Sequence, residues 1–228
     1  MAEGLVIWDF DGTLGQRTGS WTGCALEVLD QHRPGHIWTR SDVAPLLSSG
    51  FPWHTPEVPH PELSEPGQWW ARLEIVFSDA FATLGISEVK ACELAREVRP
   101  TYLTAAAWSL AEHAVTVLER LRSAGWTQVL LSNHVPELPE ILTRLGCEHY
   151  FSEVITSATL GYEKPHPAAF QAATAVLPDV EMWMVGDNPV ADIAGARECG
   201  LNTILVGANG GGQRLSLPAA AGRILSQG

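Results

Sequence analysis

The chain has 228 residues, enough for one well-cored domain or for one domain carrying a smaller insertion. Hydrophobic residues make up 46% of it and charged residues 18%, which excludes a disordered chain. The formal net charge of −12 argues against a sequence-independent nucleic-acid binder and against attraction to an anionic membrane surface, since both need a basic face.

Residues 4–8 are a continuous apolar run that stops abruptly at Asp9, the pattern of a strand buried on both faces. The loop Asp11-Gly12-Thr13 follows. Residues 15–103 then change character. Helical spacing is expected over 24–32, 41–47, 68–84 and 88–98. Between these pieces, Pro52, Pro56, Pro59, Pro61 and Pro66 oppose regular structure. This stretch is read as a mostly helical insertion.

From residue 105 an alternation sets in. Leu110, Ala114, Val117, Leu118 and Leu121 predict a helix over 105–123, stopped by Gly125. A strand is expected over 128–131, then a helix opened by Pro136 and closed by Gly146. A strand over 154–156, a helix over 167–176 and a strand over 182–185 come next. Pro189 opens another helix that ends at Gly200, and 203–206 is the last strand. The tail carries Gly210-Gly211-Gly212, read as a turn rather than a phosphate cradle, and then a weak helical pattern. Strands alternating with helices predict an α/β fold: a Rossmann-like parallel sheet core with helices on both faces. The expected division is a core of residues 1–14 and 104–228 and an inserted α-helical cap over 15–103.

No run approaches the roughly 18 apolar residues that span a bilayer. The N-terminus has no basic segment followed by an apolar run, so no signal peptide is expected. Cys24, Cys92, Cys147 and Cys199 are scattered, without a C-x-x-C pair, and read as reduced thiols of a cytoplasmic protein.

The chemistry-bearing residues sit just beyond the expected strand ends, where open parallel sheets bind ligands. Asp9 and Asp11 follow the first strand. Ser132 and Asn133 follow the second. Lys164 lies in a loop, and Asp187 and Asp192 follow the strand over 182–185. Four carboxylates brought to one edge raise one another's pKa and call for a cation. Oxygen-only donors suit Mg²⁺. Lys164 is one of only two lysines, beside twelve arginines, so a compact ammonium is chosen there over the usual guanidinium. Carboxylates, a metal, a lysine and hydroxyl or amide donors together describe a site that handles phosphate.

The run Asp9-Phe10-Asp11-Gly12-Thr13-Leu14 resembles the signature of the haloacid dehalogenase-like hydrolases. Leu131-Ser132-Asn133, Lys164-Pro165 and Gly186-Asp187, with Asp192 five positions after Asp187, match the later motifs in order. The resemblance implies a Mg²⁺-dependent phosphomonoesterase acting on a small phosphorylated metabolite through an aspartyl-phosphate. Asp9 is implied as nucleophile, and Asp11 as general acid and then base. Thr13, Ser132, Asn133 and Lys164 are implied around the phosphoryl group. Asp9, Asp11 (through its carbonyl), Asp187 and Asp192 are implied at the metal, Asp192 either as a ligand or through water or the lysine.

A phosphomutase of the same superfamily would use the same residues. Haloacid dehalogenation needs neither the metal nor a proton from the second aspartate, so Asp11, Asp187 and Asp192 argue against it. Phosphonate cleavage would need a lysine from the insertion, where only Lys90 lies. A non-catalytic regulatory module is the reading outside enzymology. Residues 50–53 are expected to form a specificity loop, with Arg17, Arg40 and Arg72 contacting a second polar group of the substrate. His54 and His60 are expected in solvent, and Trp69-Trp70 between cap and core. A monomer or small homo-oligomer is expected, with no nucleic-acid or membrane partner.

Overall fold

The computed structural model describes residues 4–207 and 214–227. Gly210-Gly211-Gly212 lie outside the described residues. In chain order the elements begin with β1 (Gly4–Trp8), β2 (Gly15–Arg17), α1 (Ser20–His32) and α2 (Arg40–Val43). Then come α3 (Pro66–Thr83), α4 (Glu88–Tyr102), β3 (Trp108–Leu110), α5 (Ala114–Ser123) and β4 (Thr127–Ser132). They continue with α6 (Leu138–Arg144), β5 (Glu153–Thr156), α7 (Ser157–Leu160), α8 (Pro167–Thr174) and β6 (Glu181–Gly186). A π-helical turn over Pro189–Ala194 runs into α9 (Gly195–Glu198), followed by β7 (Asn202–Leu205) and α10 (Leu217–Leu225).

The core is a five-stranded parallel sheet in the order β5-β4-β1-β6-β7. Strand β1 is central and every one of its residues is buried, as its unbroken apolar run demands. Its alternate side chains feed two separate apolar clusters: Val6 and Trp8 enter one, Leu5 and Ile7 the other. That is the signature of a sheet covered on both faces. Trp8 keeps its indole N–H satisfied by donating to Gln128 Oε1, whose amide in turn donates to the Leu118 carbonyl.

One expected helix is corrected. The stretch over 105–123 begins with a 3₁₀ turn and the strand β3, which pairs antiparallel with β2. Trp108 is buried and Ser109 exposed, a period of two that a helical reading of Leu110 overlooks. His113, at φ 67°, then turns the chain into α5. The β2–β3 ribbon is the root from which the segment between them departs and to which it returns.

That segment is helical. Helices α3 and α4 pack along each other, and α1 packs on α4. Trp69, Leu73, Phe77 and Phe81, spaced along one face of α3, are all fully buried. Two polar struts tie the segment to the core. Glu137, ahead of α6, accepts from Trp70 Nε1 (3.0 Å) and Arg99 Nη2 (2.7 Å). His60 Nε2 lies 3.0 Å from Glu163 Oε1, both residues buried. Trp69 and Trp70 thus serve packing, as expected. His60 is not a solvated loop residue. Its backbone N–H donates to the Gly161 carbonyl, which draws the ring under the loop and onto Glu163.

Candidate active site

The parallel sheet sends the chain past the carboxyl ends of β1, β4 and β6 toward one cleft of about 590 Å³. Asp9 leaves β1, with its backbone N–H still donating to the Val185 carbonyl of β6. Asp9 Oδ1 accepts from Lys164 Nζ at 2.8 Å and from Ser132 Oγ at 3.1 Å. Among the described residues Asp9 Oδ2 accepts no hydrogen bond. One carboxylate oxygen is therefore held and the other is uncommitted.

Lys164 Nζ also donates to Asp192 Oδ1 at 2.6 Å, so one ammonium bridges two buried carboxylates. Burial alone would lower the lysine, but those carboxylates, Asp192 first, more than offset it and hold the ammonium above its ordinary basicity. Asn133 clasps the lysine's backbone: its Nδ2 donates to the Lys164 carbonyl (2.9 Å) and its Oδ1 accepts the Lys164 N–H (2.7 Å). Asn133 therefore acts on the site through the placement of Lys164.

Asp192 Oδ2 accepts from the Asn188 N–H at 2.9 Å. Both of its oxygens are engaged, on the lysine and on the loop. Each of Asp9, Asp187 and Asp192 offers an oxygen within 4.8 Å of the others, the one such acidic grouping among the described residues. Two glycines make the crowding possible. A Cβ on Gly12 (φ +82°) would stand 2.5 Å from Asp187 Oδ2, and one on Gly186 would collide with the Asp192 carboxylate.

Burial pushes the carboxyls of Asp9, Asp187 and Asp192 above the ordinary range. Asp11 is raised to about 7, by enclosure first and then by Asp187. Its side chain keeps 44% of its surface open to the cleft, and water there tempers the desolvation. Thr13 is buried and its hydroxyl has no partner among the described residues. The sequence reading missed His134. It is buried, held neutral with its pKa lowered to about 4 by burial, and places an unpartnered Nε2 3.6 Å from Asp11 Oδ2. Its position directly after Ser132-Asn133 was the available signal.

The expected specificity residues fare differently. Trp53 lines the cleft, while Gly50, Phe51 and Pro52 do not. Arg17 lines it too, but its guanidinium is turned into the protein. Arg40 donates to the Gly19 carbonyl, and Arg72 is exposed outside the cleft lining. His54 is exposed, and Lys90 pairs with Glu93 on the surface.

A family model for haloacid dehalogenase-like hydrolases matches residues 4–200. The human haloacid dehalogenase-like hydrolase domain-containing protein 3 is 31% identical over 142 residues, covering 61% of this chain and 55% of that protein. The phosphoserine phosphatase of Thermus thermophilus is 36% identical over 137 residues, covering 58% and 53%. The chain thus spans about half the length of these curated relatives. Among solved structures, a 2-haloacid dehalogenase from Pseudomonas syringae superposes with a TM-score of 0.66 at 22% identity over the whole of both chains. A HAD phosphatase from Thermococcus onnurineus gives 0.64 at 17% identity, covering 97% of each chain. At these identities the superpositions establish the fold. No described helix is long and apolar enough to cross a membrane.

Proposed function

The chain belongs to the haloacid dehalogenase-like hydrolases, and on that premise we propose that it is a phosphomonoesterase acting on a small phosphorylated metabolite. The observation that carries this reading is the divided Asp9 carboxylate, with Oδ1 held by Lys164 and Ser132 and Oδ2 uncommitted. Relatives named for phosphatase activity on phosphoserine and on glyceraldehyde 3-phosphate support it.

The donor set fits Mg²⁺. It is oxygen-only, it packs carboxylates within 4.8 Å, and burial raises their pKa values, a cost that a bound cation would offset. Asp9 and Asp187 would hold the ion, with the Asp11 carbonyl. Asp192, whose oxygens are spent on Lys164 and Asn188, would support the lysine. When bound, the ion supplies positive charge to the phosphoryl oxygens.

Asp9 attacks phosphorus, and the bond from phosphorus to the alcohol oxygen breaks. Asp11 gives that oxygen its proton, so the alcohol leaves neutral. Water then attacks the aspartyl-phosphate and gives its proton to Asp11. Inorganic phosphate leaves and the Asp9 carboxylate is restored. A group poised near 7 can donate in the first half and accept in the second. Lys164 and Ser132, already on Asp9, are placed to meet the phosphoryl oxygens as charge moves onto them. Dehalogenation would leave Asp11 and Asp187 without a task.

Residues 15–103 are proposed as a cap that screens the site from water. Four free cysteines, two of them buried, fit a reducing cytoplasm. The test is release of inorganic phosphate from a panel of phosphomonoesters, with Mg²⁺ and with excess chelator. Chelator-sensitive release is expected. Chelator-resistant release would remove the metal from the reading, and transfer to a second alcohol rather than to water would favour a mutase.

A further inference from the structure

The acidic floor is only half of the cleft. The lining that comes from the helical segment is aromatic. Trp21 and Trp53 are half-buried along this wall, their ring centroids 5.9 Å apart and 27° between planes. Trp21 is backed by Tyr102, stacked at 3.8 Å and 9°. Pro56 extends the wall. From the core, Val190 joins the lining, an apolar side chain left 63% exposed.

Two cations line this cleft, Lys164 and Arg17, against four aspartates. Lys164 is held by Asp9 and Asp192. Arg17 is fully spent. Its Nε donates to the Tyr102 carbonyl, and Nη2 to Glu27 Oε2 and the Thr101 carbonyl. Nη1 donates to Glu27 Oε1 and to the carbonyls of Thr18 and Ser20. Its side chain is 1% exposed. No other cation lines the cleft among the described residues.

A second anionic group on the substrate would thus enter an acidic cleft with no free lining cation among the described residues to pair it, and unpaired charge is costly to desolvate. A flat, uncharged group instead gains stacking and apolar burial against the indoles. We infer that the cleft takes phosphomonoesters whose alcohol portion is uncharged and flat, an aryl-alkyl or nucleoside alcohol, and discriminates against carboxylate-bearing ones. This rests on the phosphomonoesterase reading and narrows it. It also sets the chain apart from the relative named for phosphoserine.

The experiment compares kcat/KM for benzyl phosphate and a nucleoside 5′-monophosphate with that for phosphoglycolate and phosphoserine. Quenching of tryptophan fluorescence reads binding of the same four compounds. The flat esters are expected to lead by about tenfold or more, mostly in KM. Trp53→Ala should narrow that ratio about tenfold. Val190→Arg, on an exposed side chain that the fold does not need, should raise kcat/KM for phosphoglycolate and shrink the same ratio. Equal or better use of the carboxylate esters would overturn the inference and leave the phosphatase reading standing. So would a ratio that neither variant moves. Tighter binding of the flat esters without turnover of any compound would support the wall and overturn the phosphatase reading. Binding of none would overturn both. A lead for only one of the two flat esters supports the inference and names the alcohol.

Discussion

The floor of the cleft and its aromatic wall are made of opposite materials. The floor is buried charge: Asp9, Lys164 and Asp192 are nearly inaccessible, and the lysine lies within hydrogen-bond distance of both aspartates. Such ions are tolerated only because each is paired, and removing one strands the rest. The wall is apolar: Trp21, Trp53 and Tyr102 contribute area and shape, and the one cation near them is internally neutralised. The difference teaches a division of labour. On the proposed reading, directional, charge-assisted contacts are concentrated where bonds would change, and non-directional contacts are left where a leaving group would be chosen and released.

The sharpest break in this comparison is Asp9→Asn. It removes the proposed nucleophile while keeping the shape, so phosphate release should fall by about a thousandfold or more. Circular dichroism should report an unchanged fold, and retained turnover would move the nucleophile elsewhere. Lys164→Met is next. It should cost about a hundredfold or more in activity and about 3–5 kcal/mol in stability at pH 8, because two buried carboxylates lose their shared cation. Urea denaturation at pH 5 should show a smaller loss, since the stranded carboxyls can then stay protonated. A pH-independent loss would mean that the lysine contributes packing rather than charge.

His60→Ala probes the joint between the two regions. It leaves Glu163 buried without its partner and should cost about 1–3 kcal/mol by urea denaturation. Because His60 touches neither floor nor wall, turnover per folded molecule should change little. A collapse of kcat in that variant would show the two sides to be mechanically coupled through the strut.

The smallest effect is on pH and metal. In the metal-free chain, burial raises Asp9, Asp11, Asp187 and Asp192 above their ordinary 3.8, Asp11 to about 7. The folded state then keeps protons that the unfolded state gives up. Stability is therefore lost as pH rises from about 4 through about 7. With chelator, the melting temperature should drop by a few degrees between pH 5 and pH 8. Saturating Mg²⁺ should flatten that slope, and a slope indifferent to Mg²⁺ would place the metal away from these carboxylates.

The floor was legible in the sequence, because each of its parts is announced locally. A buried apolar run ending at Asp9, a Ser-Asn pair closing β4, a rare lysine in a loop and paired aspartates after β6 are short-range patterns. Parallel strands carry them to one edge. The role of Asn133 was less legible. Its amide serves the Lys164 backbone, and that contact exists only once two loops meet.

By itself the sequence determined the alternation of strands and helices, the acidic residues that meet at the floor and the helical character of the stretch between β2 and β3, since spacing and turn chemistry govern these residue by residue. Only the tertiary structure decided what the insertion presents to the cleft. Arg17 looks like a substrate contact until Glu27 and four backbone carbonyls absorb it. His60 looks solvated until the loop at Gly161 covers it. Trp21 becomes part of a wall only when Trp53 and Tyr102 arrive from distant segments. Hydrophobic and ionic contacts of this kind carry no fixed sequence spacing, and the partner is chosen by how the helices dock.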